Sequence, residues 1–216
     1  MTPRDLFFAL FAVMGLTTSV QATTITLTEA DFDVGSYTIA ATSGGAGGQT
    51  VSSTTSGNPD GALSVLTNFH SAVSTITLFT DMVVDLSQGS ILSLDWQVDF
   101  NPLNAYGQGQ GFGLVVAQNG QYFQITDVTW TVGGWHTKVL TGLTAANFGG
   151  TLDLSQGAGP VQFGLVTGNS SGSGIHVLYD NFQLTLETTL PAVPIPAGLP
   201  LMAGALGLFG IMARRR

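Results

Sequence analysis

A run of alternating apolar and polar residues at 91–100 constrains the fold more than any other feature of this 216-residue chain. In the sequence ILSLDWQVDF, every second residue from Leu92 to Phe100 is apolar, and Ser93, Asp95, Gln97 and Asp99 lie between them. A period of two predicts a strand with one buried face. Such a face has to pack against a second layer, so the run predicts a layered β structure.

Further short runs of strand-like composition are separated by Gly, Asn, Asp and Ser residues typical of turns, and no stretch keeps a helical period for more than about two turns. The pattern predicts an all-β fold, a two-sheet antiparallel β-sandwich with jelly-roll-like connections. The runs are 24–28, 36–40, 62–67, 75–79, 112–117, 122–126, 128–132, 135–140, 161–167 and 175–186. Residues 42–61 are rich in Gly and Ser and are predicted to form a loop.

Positive charge is almost absent from the middle of the chain. Of its five Lys and Arg residues, only Lys138 lies between Arg4 and Arg214, whereas the chain has thirteen Asp and Glu residues. This composition excludes nucleic acid as a partner, because binding it requires basic groups that replace phosphate counterions. The chain has no cysteine, so a folded domain must be stabilised by its core rather than by disulfides.

Residues 1–22 have the composition of a secretory signal peptide. Arg4 precedes an apolar run from Leu6 to Leu16, and the segment ends in Val20-Gln21-Ala22, where small residues suit a signal peptidase. The sequence therefore predicts export, with signal peptidase as a partner and residues 23–189 as the β-sandwich domain.

Residues 190–216 form a second apolar segment, which ends in a basic cluster. The apolar stretch 197–213 would span roughly 25 Å as a helix, slightly less than the ~30 Å hydrocarbon core of a bilayer. Because the arginines that follow favour the cytoplasmic side, the segment predicts a transient association with the inner membrane. A simple C-terminal membrane anchor is the alternative.

The order of motif, helix and basic end resembles the VPLPA variant of the PEP-CTERM sorting signals of Gram-negative bacteria. The resemblance covers residues 191–216, and Ile195 stands where the commoner form has Leu. It implies an exosortase-type membrane transpeptidase or protease as a partner, with delivery to the cell surface or secretion. The matching residues are Val193, Pro194, Ile195, Pro196, Ala197, Arg214, Arg215 and Arg216.

No catalytic constellation is recognisable, and the body is predicted to be non-enzymatic. His70, His136 and His176 are isolated in the sequence and lack the spacing of metal ligands. There is no cysteine nucleophile, and no serine lies in a recognisable nucleophile elbow. Asp95 and Asp99 share the polar side of one strand and are interpreted as solvent-facing charges.

Asp180 is unusual because its position in the strand 175–186 gives it the same parity as Leu178 and Phe182, which are expected to face the core. A buried carboxylate is unfavourable unless it is ligated or hydrogen-bonded. Three solutions are open: a bulge that turns Asp180 outward, backbone amides that bind it, or a bound Ca²⁺.

The Asp-Asn-Phe sequence at 180–182 and TEADFD at 28–33 resemble the ends of bacterial carbohydrate-binding jelly rolls. In that family, acidic groups near the first and last strands hold a structural calcium ion. The resemblance implies a possible Ca²⁺ cofactor, with Asp31 or Asp33 and Asp180 as ligands.

Two segments combine aromatic and amide side chains, which are the groups that recognise sugars. The first, NAYGQGQGFG at 104–113, contributes Tyr106, Gln108 and Gln110, and the second contributes Tyr122, with Gln121 and Gln124 nearby. The alternative is that these polar residues merely face water. Trp96 is interpreted as a core residue, and a turn at Gly133-Gly134 is expected to bury Trp135 and Val139.

The sequence therefore favours an exported cell-surface or extracellular-matrix protein, sorted by an exosortase-type system, whose β-sandwich binds exopolysaccharide. A purely structural or adhesive surface protein without a saccharide site is one alternative. A glycan-active enzyme on the same architecture is another.

Overall fold

The computed structural model contains two antiparallel sheets with a short helix, α1 (Ala145–Phe148), beside them. It describes residues 22–43, 49–67, 73–104, 110–127, 133–169 and 175–189. The strands are β1 (Thr23–Glu29), β2 (Tyr37–Ser43), β3 (Gln49–Thr54), β4 (Ala62–Thr67), β5 (Val73–Val84), β6 (Ile91–Pro102), β7 (Gln110–Gln118), β8 (Gln121–Asp127), β9 (His136–Leu143), β10 (Val161–Asn169) and β11 (Ile175–Thr188).

The six-stranded sheet has the order β3-β4-β11-β6-β9, with β1 also paired to β11. The long strand β11 has room for both neighbours on one edge, because its first part pairs with β4 and its second part pairs with β1. The five-stranded sheet has the order β2-β5-β10-β7-β8.

The main core lies between the two sheets and is rich in aromatic side chains. Phe182 of β11 is fully buried, with its ring 4.7 Å from that of Phe79 in an edge-on arrangement and 6.4 Å from that of Trp96. Aromatic pairs in this distance range stabilise a fold beyond the burial of their surface.

The predicted all-β, two-sheet antiparallel sandwich is confirmed, as is the burial of Trp96, which is 1% exposed. The prediction of a continuous loop over 42–61 is wrong, because Gln49–Thr54 forms β3 and pairs with β4 throughout. Val139 is also not buried: it is 51% exposed and pairs with Gln97 on the outer side of the six-stranded sheet. The predicted signal peptide and sorting segment lie outside the described residues.

A β-bulge in β11 reverses which side chains face the core. Asp180 pairs with Asp99 and Gln183 pairs with Gln97, so β11 contains one extra residue between these pairs, and Asn181 has a φ of 49°. The core-facing residues are Val177 and Tyr179 before the bulge, and Phe182, Leu184 and Leu186 after it. Asp180 and Leu178 therefore lie on the outer face of the sheet, and the parity assigned to them from the sequence is wrong.

Within the described residues, no helix has both the length and the apolar character needed to cross a membrane.

Candidate functional site

The acidic residues predicted near the start of the domain lie at the surface because the residue between them is buried. Phe32 is fully buried and packs 5.8 Å from Phe79. Asp31 and Asp33 on either side are exposed, and both line a hollow of about 330 Å³ with Ser53, Thr54 and Gly61.

Asp180 lies on the outer face of β11 but is only 1% exposed, and Gly57 and Asn58 lie against its carboxylate. Both of its oxygens accept hydrogen bonds from backbone amides: Oδ2 from Asn58, and Oδ1 from Asn181 at 2.6 Å. An added Cβ at Gly57 would lie 2.8 Å from Oδ2, so there is no room for a side chain at that position. Of the three solutions, the bulge and the amides both occur, but the bulge does not expose the carboxylate.

Asp99, the register partner of Asp180, belongs to the same polar network and is only 8% exposed. It accepts hydrogen bonds from Thr137 Oγ1 at 2.6 Å and from the side-chain amide of Asn181 at 2.9 Å. The interpretation of Asp99 as a solvent-facing charge is therefore wrong. Asp95 fits that interpretation, since it is exposed, although it also accepts a hydrogen bond from Gly142 N at 2.7 Å.

Burial raises the pKa of Asp180 above its ordinary value of 3.8, and the Asp99 and Asp31 carboxylates raise it further, while the two amides act in the opposite direction. A folded-state pKa above the unfolded value means that this group stabilises the fold most at low pH. Its contribution is lost as the pH rises through the raised pKa.

We expect the free energy of unfolding of Asp180→Asn to fall less than that of the wild type when the pH rises from roughly 4 to 7. The asparagine side chain also loses one of the hydrogen bonds that the carboxylate accepts. That loss does not depend on pH, so the test compares the slopes of the free energy of unfolding against pH. Asp153→Asn is the control with the opposite sign and a lower pH window: the hydrogen bonds of Ser155 lower the pKa of Asp153, so its carboxylate contributes fully above the ordinary value of 3.8 and that contribution is lost as the pH falls below it. Urea unfolding at each pH measures the free energy of unfolding of both variants. If this free energy changed with pH in parallel for the wild type and Asp180→Asn, the raised pKa of Asp180 would be contradicted.

The surroundings of Asp180 give evidence both for and against a bound Ca²⁺. Ca²⁺ prefers several oxygen ligands, and the carboxylates of Asp99 and Asp31 act on that of Asp180. In the described part of the chain, however, no group of three or more His, Asp or Glu side chains is arranged to hold a metal ion. Ca²⁺ at Asp31, Asp33 and Asp180 stays a prediction, which melting curves with EDTA and with added calcium would test.

The second candidate region is the outer face of the five-stranded sheet, which carries an apolar cluster separate from the main core. Strand β7 sends Phe112, Leu114 and Val116 inward, so the residues between them, such as Val115, point outward. The outward cluster is nearly inaccessible to solvent and consists of Ile76, Leu78, Val115 and Val166. We call this face the trough.

Tyr122 crosses the trough from one edge of the sheet towards the other. It lies on β8, where the neighbouring residue Phe123 packs into the main core, so Tyr122 points outward. Its hydroxyl group lies 3.4 Å from the carbonyl oxygen of Ala40 on β2. Because β8 and β2 are the opposite edges of this sheet, the contact requires the sheet to curl and the outer face to be concave.

Tyr122 lines two hollows in the trough. The larger, of about 540 Å³, also contacts Ser74, Ile76 and Gln124. It continues around the edge of the sheet to Phe123, Phe148, Gly149 and Gly150, so it is only partly formed by the outer face. The smaller, of about 300 Å³, also contacts Leu78, Ala117 and Asn119. Tyr122 is 39% exposed, so one part of its ring faces the trough and another faces solvent.

Two outward-facing glycines permit the curvature of the sheet. A Cβ at Gly113 would overlap the carbonyl oxygen of Ile125 on β8, and a Cβ at Gly164 would overlap that of Thr77 on β5. Neighbouring backbones thus approach closely on the concave side, where side chains would keep them apart.

We expect Gly164→Ala to lower the free energy of unfolding by about 1–3 kcal/mol, because the methyl group meets backbone that cannot rotate away. Urea unfolding measures the loss. Thr126→Ala, at an exposed position of β8, is the control and should change stability by less than about 0.5 kcal/mol. Equal effects of the two substitutions would contradict the close approach at Gly164.

The predicted sugar-contact residues are only partly placed by the structure. Tyr122 lines both hollows of the trough and Gln124 lines the larger one, whereas Tyr106 and Gln108 lie outside the described residues. Gln110 is the first residue of β7 in the same sheet, and its side chain is not described. The floor residues Val115 and Val166 were missed, although continuous apolar runs such as GFGLVV at 111–116 are typical of strands buried on both faces.

Comparison with known proteins finds solved structures that have a similar fold. No protein-family model matches the chain, and no curated protein matches it. Among solved structures, a family 11 carbohydrate-binding module of a cellulosomal cellulase from Clostridium thermocellum has a TM-score of 0.48 at 14% identity, covering 77% of this chain and 95% of that one.

Two further structures give similar values. A family 11 module from Clostridium thermocellum in complex with a β-1,3-1,4-mixed-linked tetrasaccharide has a TM-score of 0.47 at 16% identity, covering 74% of this chain and 94% of that one. A family 29 carbohydrate-binding module has a TM-score of 0.40 at 13% identity, covering 79% and 94%. At these values the likeness assigns neither a family nor a ligand.

Proposed function

We propose that this chain is an exported surface or matrix protein whose trough binds exopolysaccharide without modifying it. The observation that carries the proposal is Tyr122, a half-exposed aromatic ring held across a concave face with an apolar floor. Sugar rings present apolar C–H faces and a border of hydroxyl groups, so they need a flat apolar surface together with nearby donors and acceptors.

The polar groups around Tyr122 suit this role. Gln124 and Asn119 are exposed and line the two hollows, and each side-chain amide can donate and accept hydrogen bonds. Gln118 and Gln162 already bond to backbone carbonyl oxygens, Gln118 to those of Asp153 and Gly159 and Gln162 to that of Phe79. They therefore support the walls of the trough, while Gln124 and Asn119 are the candidates for ligand contact.

The paired acids Asp99 and Asp180 do not favour a glycan-active enzyme. Glycoside hydrolysis uses two carboxyl groups on either side of the scissile bond, both in contact with substrate or water. These two lie on the outer face of the other sheet, and their oxygens accept hydrogen bonds from Asn58, Thr137 and Asn181. The network is better suited to holding residues 57–61 against β11.

Soluble polysaccharides can test binding by affinity electrophoresis of the purified protein in native gels. We expect slower migration in gels containing at least one of β-1,3-1,4-glucan, xylan, galactomannan or polysaccharide extracted from a bacterial biofilm. Bovine serum albumin in the same gels controls for viscosity. Unchanged migration in all of them would favour the structural or adhesive alternative, and release of sugar over time would indicate an enzyme.

Export and sorting are supported by the signal-like segment 1–22 and by the tripartite segment 191–216. We expect truncation after Leu190 to change how much of the protein is retained at the cell surface. Replacement of Arg214, Arg215 and Arg216 by alanine separates the role of the basic end from that of the apolar stretch. Identical fractionation of the full-length and truncated proteins would contradict sorting by this segment.

A further inference from the structure

The two hollows of the trough have no charged side chain among their described lining residues, in contrast to the acidic character of the chain as a whole. Among the described residues that line the two hollows there is no Asp, Glu, Lys, Arg or His. The chain as a whole carries a formal net charge of −8.

Positive charge is also unavailable from neighbouring parts of the domain. Lys138 is the only Lys or Arg between residues 5 and 213, and it lies on β9, in the other sheet, paired with Val98. The segments outside the described structure within the domain, 44–48, 68–72, 105–109, 128–132 and 170–174, contain no Asp, Glu, Lys or Arg. No anion in the trough could therefore be paired with a lysine or arginine from the described structure around it.

We infer that the trough takes an uncharged polysaccharide and rejects chains that carry carboxylate or sulfate groups. This rests on the proposed function and defines its ligand class. An anion that leaves water for the trough loses hydration without gaining a counter-charge, which is unfavourable. The acidic surface adds a long-range repulsion that weakens as salt is added. A neutral chain loses no ionic hydration and is not repelled. Its hydroxyl groups need only the amides of Gln124 and Asn119, and its apolar C–H faces need only the ring of Tyr122.

A matched pair of ligands tests the inference. The neutral polysaccharide that slows the protein most in affinity gels is oxidised at a fraction of its primary hydroxyl groups, which gives the same backbone with carboxylates. We expect the dissociation constant to rise at least about 10-fold for the oxidised chain at ~10 mM salt. The penalty should shrink at ~500 mM salt, where screening shortens the range of the repulsion.

A second experiment tests the same inference by placing a positive charge in the trough. Gln124→Lys should bind the oxidised chain more tightly than the wild type does, whereas Val139→Lys, on the other sheet, should leave that preference almost unchanged. Equal or tighter binding of the oxidised chain by the wild type would overturn the inference while leaving saccharide binding in place. Failure of every neutral and oxidised chain to bind would instead overturn the proposed function.

Discussion

Replacing Phe182 by alanine is expected to lower the free energy of unfolding by about 3–5 kcal/mol, the range for removing a large aromatic side chain from a core. Phe182 is fully buried and its ring contacts both Phe79 of the five-stranded sheet and Trp96 of the six-stranded sheet. The cavity would open between the two layers, where neither sheet can close it without moving. Equilibrium urea unfolding, followed by tryptophan fluorescence and circular dichroism, measures the loss.

Two further variants keep this prediction testable if Phe182→Ala does not fold. Phe182→Leu retains much of the volume and should cost less than the alanine variant. Val139→Ala removes an apolar side chain that is 51% exposed, so it should change stability by less than about 0.5 kcal/mol. A loss below about 1 kcal/mol for Phe182→Ala would mean that the bulge at Asn181 does not turn residue 182 into the core.

Tyr122→Ala is expected to weaken polysaccharide binding by about 10- to 30-fold, because a central aromatic residue carries a large share of the energy of a binding site. The expectation follows from the position of Tyr122, which lines both hollows of the trough, together with the floor residue Ile76 in one and Leu78 in the other. Titration calorimetry with the polysaccharide that binds in gels measures the change.

Tyr122→Phe is the matched control for the ring. It removes only the hydroxyl group, whose contact with Ala40 is long at 3.4 Å, so binding should fall less than about 3-fold. If Tyr122→Ala binds as well as the wild type while remaining folded, saccharide does not bind over the trough. Equal losses in both variants would assign the effect to the hydroxyl group rather than to the ring.

The fold was predictable from the sequence because the sheets obey simple alternation over most of their length. Strand β6 keeps its core-facing residues Leu94, Trp96, Val98 and Phe100 on one parity, although the pattern fails at the start of the strand, because Ile91 is buried in the core and Leu92 is 47% exposed. Strand β11 departs from this pattern because one extra residue at Asn181 moves the following side chains to the opposite face. No local composition signal marks that bulge, so simple alternation places Asp180 on the wrong side of the sheet.

The candidate site was harder to predict because it depends on contacts between distant parts of the chain. The sequence predicts Tyr122 as a contact residue because Gln121 and Gln124 are nearby, but its proximity to Ala40, which joins opposite edges of the curled sheet, has no sequence signal. The floor residues Val115 and Val166 resemble core residues in the sequence. Only the separation of their cluster from the main core identifies the outer face on which they lie.

Backbone amide chemical shifts, recorded while a neutral oligosaccharide is added to the isotopically labelled protein, test saccharide binding in the trough most directly. We predict progressive shifts for Tyr122, Gln124, Val115 and Val166, with no comparable change at Asp99, Asn181 and Val139 on the other sheet. Shifts concentrated on the six-stranded sheet, or absent from β7, β8 and β10 at saturating ligand, would contradict binding in the trough.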